Sequence, residues 1–395
     1  MLDTVRTART APSVETVALE AAAGRVLAEP IAADRDYPAL ARSVRDGYAL
    51  RAIDLPGDLE VIGEVRAGES YTGDIGARQA VEIMTGAPIP RGADAVVMLE
   101  HVRREGTRVI AGQSAEPGQF INPQGCEARA GDILLHPGQR LDFTGIAMLA
   151  AAGKQSVRVY AAPRVAIIAT GDEIVPVAAT PRDFQIRNSN AYSLAAQVIR
   201  AGGVPYLLPV ARDTFEHTRE IVSRGLYCDL LLLSGGVSAG KYDVVEQVLA
   251  ELGGEILFDR VLIQPGQPLV FGRAGGSTAA GRKWRAGFFF GLPGNPSSTM
   301  VTFEIFARAA LDLLAGQSET SLHMPLSRLT SEFRHRPGLT RFLPAHLSND
   351  GAEVTPVAWH GSGDIPALTR ANAYLVADPE RAQYPRGELI RVLLK

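Results

Sequence analysis

Residues 163–315 alternate between two hydrophobic periods. Unbroken apolar runs in "RVAIIAT", "DLLLLSGG" and "AGFFFGLPGNP" predict buried strands, and "PYLLPV" predicts another. Between and after them, "SNAYSLAAQVIRAGG", "TFEHTREIVSRGL", "KYDVVEQVLAELGG" and "SSTMVTFEIFARAALDLLAG" read as helices. This alternation predicts an open parallel sheet with helices on both faces, because right-handed crossovers return each helix onto the sheet. From about 51 to 135 the texture is β-rich, with short runs such as "LEVIGEV", "QAVEIMTG", "AVVMLE" and "TRVIAG" set between Gly/Pro turns. Residues 325–395 again carry short strands ("RFLPAHL", "EVTPVAW", "AYLVAD", "ELIRVLL") and predict a small β-barrel. Two further helices are expected: 13–29, capped by Ser13 and closed by Gly24, and 142–153, capped by Asp142. The fold class is therefore α/β and multi-domain.

Length and composition narrow the classes. A chain of 395 residues exceeds one ordinary core and implies two to four domains. A net charge of −3 supplies no global attraction for nucleic acid or anionic membrane. The basic stretch 272–287 lacks interleaved aromatics and reads as a hairpin tip. No apolar run reaches the ~18 residues of a membrane span. Two cysteines, Cys126 and Cys228, make neither a disulfide framework nor a metal-binding spacing, which fits a reducing cytoplasm. The seven histidines show no ligand spacing either.

The chemistry concentrates in three loops. Gly235 to Lys241 spells G-x-x-x-x-G-K, a phosphate-cradling pattern, but Tyr242 stands where a nucleotide hydrolase needs Ser or Thr for magnesium. Asp243 follows, able to cap the next helix or to hold a cation. "TGDE" (170–173), "SGGVSAGKYD" (234–243) and "GLPGNP" (291–296) each follow a predicted strand, so they converge on the carboxyl rim of the sheet. Glycines there allow close backbone approach to an anion. Asp172, Glu173 and Asp243 would repel phosphate unless a divalent cation bridges them. The rim thus reads as a site for phosphate and magnesium.

At these loops the sequence resembles the molybdopterin molybdenumtransferase family (MoeA and the gephyrin E-domain). "SVRDGYAL" (43–50), "IMTGAPIPRGADAVVMLE" (83–100), "TGDEIV", "SGGVSAGKYD", "QPGQPLVFG" (264–272), "GLPGNPSS" and "GSGDIPALTRANAYLVA" (361–377) occur in family order. The resemblance implies a homodimer of four-domain subunits. Its domains would be 1–51 with 129–162, the insertion 52–128, the α/β domain 163–317, and the barrel 318–395. It implies insertion of molybdate into adenylylated molybdopterin with release of AMP, aided by magnesium. It also implies contact with the molybdopterin adenylyltransferase and with molybdoenzyme acceptors. By motif, the catalytic carboxylates are Asp46, Glu173, Asp229 and Asp243, with Asp243 and Glu173 on the metal. Substrate binding falls to Thr85, Thr170, Gly171, Asp172, Ser234, Gly235, Gly236, Ser238, Pro293, Gly294, Asn295 and Pro296.

Departures from the family pattern cluster at the oxyanion pocket, carried here by Gln264, Gln267, Arg341 and Ser362. The family's K-P-G-K-P is "QPGQP", and its P-G-R-x-E-F-x-R is "PGLTRFLP", so Leu339 and Pro344 replace arginines while Arg341 stands at the acidic position. Cys126 and Arg45 depart as well. Molybdate is a dianion, and losing cations weakens its attraction. Arg341 and Arg45 are the candidate replacements. Two other readings stay open: a paralogue that binds the pterin nucleotide without inserting metal, and a dimeric interaction scaffold.

Overall fold

A computed structural model of the chain describes residues 1–236, 244–275, 285, 287–320 and 322–395. Ser238, Asp243 and most of the basic 272–287 stretch lie outside these described residues.

The α/β region is built on a six-stranded sheet. Its order is Val204–Leu207, Arg164–Ala169, Leu230–Ser234, Phe288–Leu292, Pro268–Ala274, Gly254–Arg260. The first four strands are mutually parallel, as the alternation predicts. Pro268–Ala274 runs antiparallel to both of its neighbours, Phe288–Leu292 and Gly254–Arg260, so the sheet is mixed. Leu230–Ser234 and Phe288–Leu292 are buried at every position because both faces are covered. One face packs against the helices Ser189–Arg200 and Arg308–Leu314, through Leu194, Val198, Leu311 and Leu313. The other packs against Phe215–Gly225 and Val244–Glu251, through Ile221, Val222, Val248 and Leu249. An N-terminal helix, Leu2–Ala8, adds Val5 to the first core; the sequence pattern did not predict it.

The β-rich insertion forms a second six-stranded sheet, in the order Ala95–Met98, Gly47–Leu50, Gln79–Ile83, Gly57–Val65, Arg108–Ala111, Val102–Glu105. The pleat sends Tyr48 and Leu50 to one apolar cluster and Ala49 to the other. The C-terminal strands close a barrel of five: Thr340–Leu347, Glu353–Pro356, Leu326–Leu329, Leu389–Leu394 and Ala373–Ala377, which pairs back to the first.

The expected helix over 13–29 is absent. Val14–Ala18 is a strand, antiparallel to Ser156–Tyr160, followed by a single 3₁₀ turn at Leu19–Ala21. The alanines and leucines favour a helix locally, but the β-branched Val14, Thr16 and Val17 match a strand, and pairing across 140 residues of chain outweighs a weak local preference. The helix at 142–153 is present as Phe143–Ala151, and the Asp142 carboxylate accepts from the Gly145 N–H at 2.8 Å.

The barrel is welded to the α/β region. The helix Pro296–Thr302 runs through a π turn at Phe303–Ala307 into Arg308–Leu314. Val301, Met300 and Phe306 from it pack with Phe342, Leu368, Tyr374, Val376 and Leu393 of the barrel. Within the π turn, the buried Glu304 accepts from Gln197 at 2.7 Å, pairs with Arg200, and meets Arg308 at 3.3 Å. Burial, then the Glu304 charge, pushes the neighbouring Tyr374 hydroxyl up to about 12.

Candidate active site

Strand register brings the rim loops together. Ala169 is level with Ser234, and Ser234 with Leu292, so three adjacent parallel strands end at one height. The loops that leave them enclose a cavity of about 440 Å³. Thr170, Gly171 and Glu173 line it from the first loop; Ser234, Gly235 and Gly236 from the second; and Pro293, Gly294, Asn295 and Pro296 from the third. The closeness depends on glycine at two positions. Gly235 and Gly236 have φ of +92° and +64°, and a Cβ on Gly236 would meet Thr170 Oγ1 at 2.7 Å. Asp172 is outside the lining. Its carboxylate accepts weakly from the Asp213 N–H at 3.5 Å and lies 4.0 Å from Arg212, while Asp213 does line the cavity.

Sequence reasoning missed one wall. The run "RNSN" reads as the start of a helix, which it is: Asn188 caps Ser189–Arg200 by accepting from the Ala191 N–H at 3.2 Å. It also lines the cavity through Arg187, Asn188, Ser189 and Asn190. Asn190 ties two loops together, its Nδ2 donating to Ser234 Oγ at 2.8 Å and to the Gly294 carbonyl at 2.7 Å. Within the third loop, the Thr299 hydroxyl donates to the Pro293 carbonyl at 2.5 Å. Two polar asparagines in one short run after a strand pair were the available signal.

The oxyanion candidates come from the barrel junction. The strand Ile263–Gln264 pairs parallel with Thr340–Arg341, and Gln264 is level with Arg341. Two departures from the family pattern therefore meet. Arg341 Nε is buried with no hydrogen-bond partner among the described residues, and the Arg341 charge, after burial, helps hold His335 below the usual histidine range. Gln267 immediately precedes Pro268, which lines the cavity. The Ser362 carbonyl accepts from the Ser297 N–H at 2.9 Å, one residue past the lining Pro296.

Asp46, Thr85 and Asp229 do not line this cavity. Asp46 accepts from the Thr85 N–H at 2.6 Å and the Thr85 hydroxyl at 2.8 Å; the backbone bond first, then the hydroxyl, hold its carboxyl below the ordinary aspartate value. Asp229 stands at the amino end of Leu230–Ser234, a strand length of ~16 Å from the rim. It accepts from the Arg164 N–H at 2.7 Å and pairs with Arg285. Arg45 lies 6.0 Å from the Phe120 ring and donates to the Val44 carbonyl, within the insertion region.

Glu173 is the one predicted metal ligand among the described residues. Its carboxylate packs against Gly171, where a Cβ would meet it at 2.4 Å. No group of three or more His, Cys, Asp or Glu side chains among the described residues could hold a metal. A magnesium ion on a phosphorylated substrate needs only one or two carboxylates, with phosphate oxygens and water completing its shell, so Glu173 fits that demand. No helix of the described residues is long and apolar enough to cross a membrane.

Comparison with known proteins covers the whole architecture. The family descriptions that match are MoeA N-terminal region (domain I and II) over 2–153, probable molybdopterin binding domain over 166–313, and MoeA C-terminal region (domain IV) over 327–395. A molybdopterin molybdenumtransferase of Staphylococcus epidermidis is 33% identical over 386 residues, covering 95% of this chain and 90% of that protein. One from Bacillus subtilis is 35% identical over 395 residues, covering 96% and 89%. One from Nostoc is 38% identical over 310 residues, covering 76% and 70%. The solved structure of the molybdopterin biosynthesis moeA protein of Pyrococcus horikoshii superposes with a TM-score of 0.81 at 29% identity, covering 100% of this chain and 98% of that one.

Proposed function

The chain belongs to the molybdopterin molybdenumtransferase (MoeA) family and is a transferase of molybdenum cofactor biosynthesis, and from that premise we propose that its rim cavity binds adenylylated molybdopterin, accepts molybdate into the dithiolene and releases AMP. The observation that carries this reading is the convergence of three glycine-bearing loops at the carboxyl ends of level parallel strands. Such a rim offers backbone N–H groups to a phosphoanhydride without the steric cost of side chains. The helix Val244–Glu251 begins where the phosphate-cradling run ends, and a helix N-terminus favours an anion.

Glu173 and Asp243 would hold a magnesium ion, which contributes charge neutralisation and polarisation of the phosphoanhydride. The chain's own work is positioning. The Asn190 amide holds the second and third rim loops against one another and the Thr299 hydroxyl braces the third, so the donors are in place before substrate arrives. In this reading Arg341, level with Gln264 though neither residue is in the cavity lining, supplies the cation where the family pattern's lysines are missing. Asp46, Thr85 and Asp229 act, in this reading, from a second subunit's contribution or in support of the fold. A homodimer is part of the proposal, as are cytoplasmic location and contact with the adenylyltransferase and molybdoenzyme acceptors.

Reconstitution tests it: purified chain, adenylylated molybdopterin, molybdate and magnesium, with AMP followed by chromatography and subunit number by light scattering. Molybdate-dependent AMP release from a dimer is expected. Tight nucleotide binding without molybdate-dependent release would instead establish the non-inserting paralogue. A monomer at micromolar concentration would remove the shared-site element.

A further inference from the structure

The cavity wall holds two buried polar atoms without a partner among the described residues, Thr170 Oγ1 and Asn190 Oδ1. Buried polar atoms are rarely orphaned, so two on one cavity wall point to a ligand that completes them. Thr170 is only 5% exposed, so bulk water does not satisfy its hydroxyl.

The hydrogen-bond ledger of Asn190 dictates what that ligand brings. A carbonyl oxygen can only accept, so the Gly294 carbonyl at 2.7 Å must face the amide nitrogen, which also reaches Ser234 Oγ at 2.8 Å. The amide orientation is thereby settled, and Oδ1 can only accept. Phosphate and molybdate oxygens, acceptors themselves, cannot satisfy it. An N–H donor can. The Thr170 hydroxyl, without a partner among the described residues, can donate to an acceptor beside that N–H.

We propose that Asn190 and Thr170 read the amino-bearing edge of an N-heterocycle, with Asn190 Oδ1 accepting from the exocyclic amino group and Thr170 donating to the adjacent ring nitrogen. This rests on the reading that adenylylated molybdopterin occupies the cavity. Adenine and the pterin both carry such an edge, so the chemistry is shared and experiment separates the two sources. Asn190 is then a specificity-determining residue as well as the tie between loops.

The test is calorimetry on the full-length protein with two ligand pairs, each differing at the amino group. AMP is compared with purine riboside 5′-monophosphate, and pterin with its 2-deamino counterpart pteridin-4(3H)-one. Wild type should prefer the amino-bearing member of one pair by about tenfold, since leaving a buried acceptor unpaired discriminates strongly. Asn190→Ala should bring that preference close to one and leave the other pair unchanged. The pair that responds identifies the source. Thr170→Val guards against a folding artefact: with no hydroxyl bond to lose among the described residues, it should keep or raise the melting temperature while weakening the same amino-bearing ligand severalfold. Unaltered preferences in Asn190→Ala, or unaltered affinity in Thr170→Val, overturn the assignment while leaving cavity occupancy intact. Wild type that binds none of the four ligands overturns both this assignment and the occupancy on which it rests.

Discussion

Replacing Arg341 by alanine asks whether one misplaced cation has taken over an oxyanion pocket. Gln264 and Arg341 are register partners on neighbouring parallel strands, so their Cα atoms are ~4.8 Å apart and their side chains leave the same face. One arginine against the two charges of molybdate at ~4 Å is worth about 4 kcal/mol at an effective dielectric of ~40 and about 2 at that of water. Desolvation and salt remove part of this, leaving about 1–3 kcal/mol, which corresponds to a loss of roughly 5- to 150-fold in molybdate affinity. Isothermal calorimetry at low and at high salt measures it, and the difference should shrink as salt rises. The fold should tolerate the change, because Arg341 Nε makes no hydrogen bond among the described residues and the strand ladder is backbone. A second readout checks the side chain's position. Arg341 contributes to the low pKa of His335, so its removal should raise that pKa, though burial, the larger cause, keeps it below the ordinary value. If His335 moves in an NMR titration and molybdate affinity does not, Arg341 is where the structure puts it but has no part in binding the oxyanion. Gln264→Lys should then act in the opposite sense only if the pocket handles an anion at all, by adding a cation beside Arg341.

Three other outcomes are expected. Because Glu304 is 2% exposed while Arg200 and Arg308 are about half exposed, the carboxylate and not the arginines carries the desolvation burden. Glu304→Gln should therefore cost only ~1–2 kcal/mol in urea unfolding, while the Arg200→Ala, Arg308→Ala double variant costs ~3 kcal/mol or more. The reverse order would show that the network stabilises by charge attraction. Asp46 has a depressed carboxyl, so its contribution is present above the unfolded aspartate value and is lost as pH falls through the folded one. Thr85→Val should raise the Asp46 pKa part of the way in a carboxyl-resolved NMR titration, because the larger, backbone bond survives; no movement would sink the assignment. Tyr374 is pushed up to about 12, so its contribution is intact below about pH 10 and fades as pH rises towards 12. Tyr374→Phe should lose about 2–3 kcal/mol less stability than wild type across that window. Equal slopes for the two proteins would refute the shift.

The rim was legible because its signals are local. The short run "LLLLS", bounded by a glycine turn, reads as a strand covered on both faces with the turn at its end, and it is one. Parallel alternation then places three such ends on one side of a sheet. The mixed edge was not legible, since nothing in Gly254–Arg260 or Pro268–Ala274 states the direction of its neighbour. Segment 13–29 shows the converse failure. Its helix propensity is real but small, and a partner strand some 140 residues away decided the outcome.

The sequence by itself therefore determined the alternating α/β region, the β-rich insertion, the terminal barrel strands and the three rim loops, because each is written in periods of two and 3.6 or in glycine at a turn. Only the tertiary structure decided what crosses between segments. Asn190 belongs to the cavity because its helix starts beside Ser234 and Gly294, 44 and 104 residues away in the chain. Arg341 faces Gln264 because a two-residue strand reaches from one domain into the barrel of another. The buried Glu304 is tolerable only because residues from a neighbouring helix and the next helical turn surround it. Such pairings are set by packing and register, and these are properties of the folded chain that no local pattern encodes.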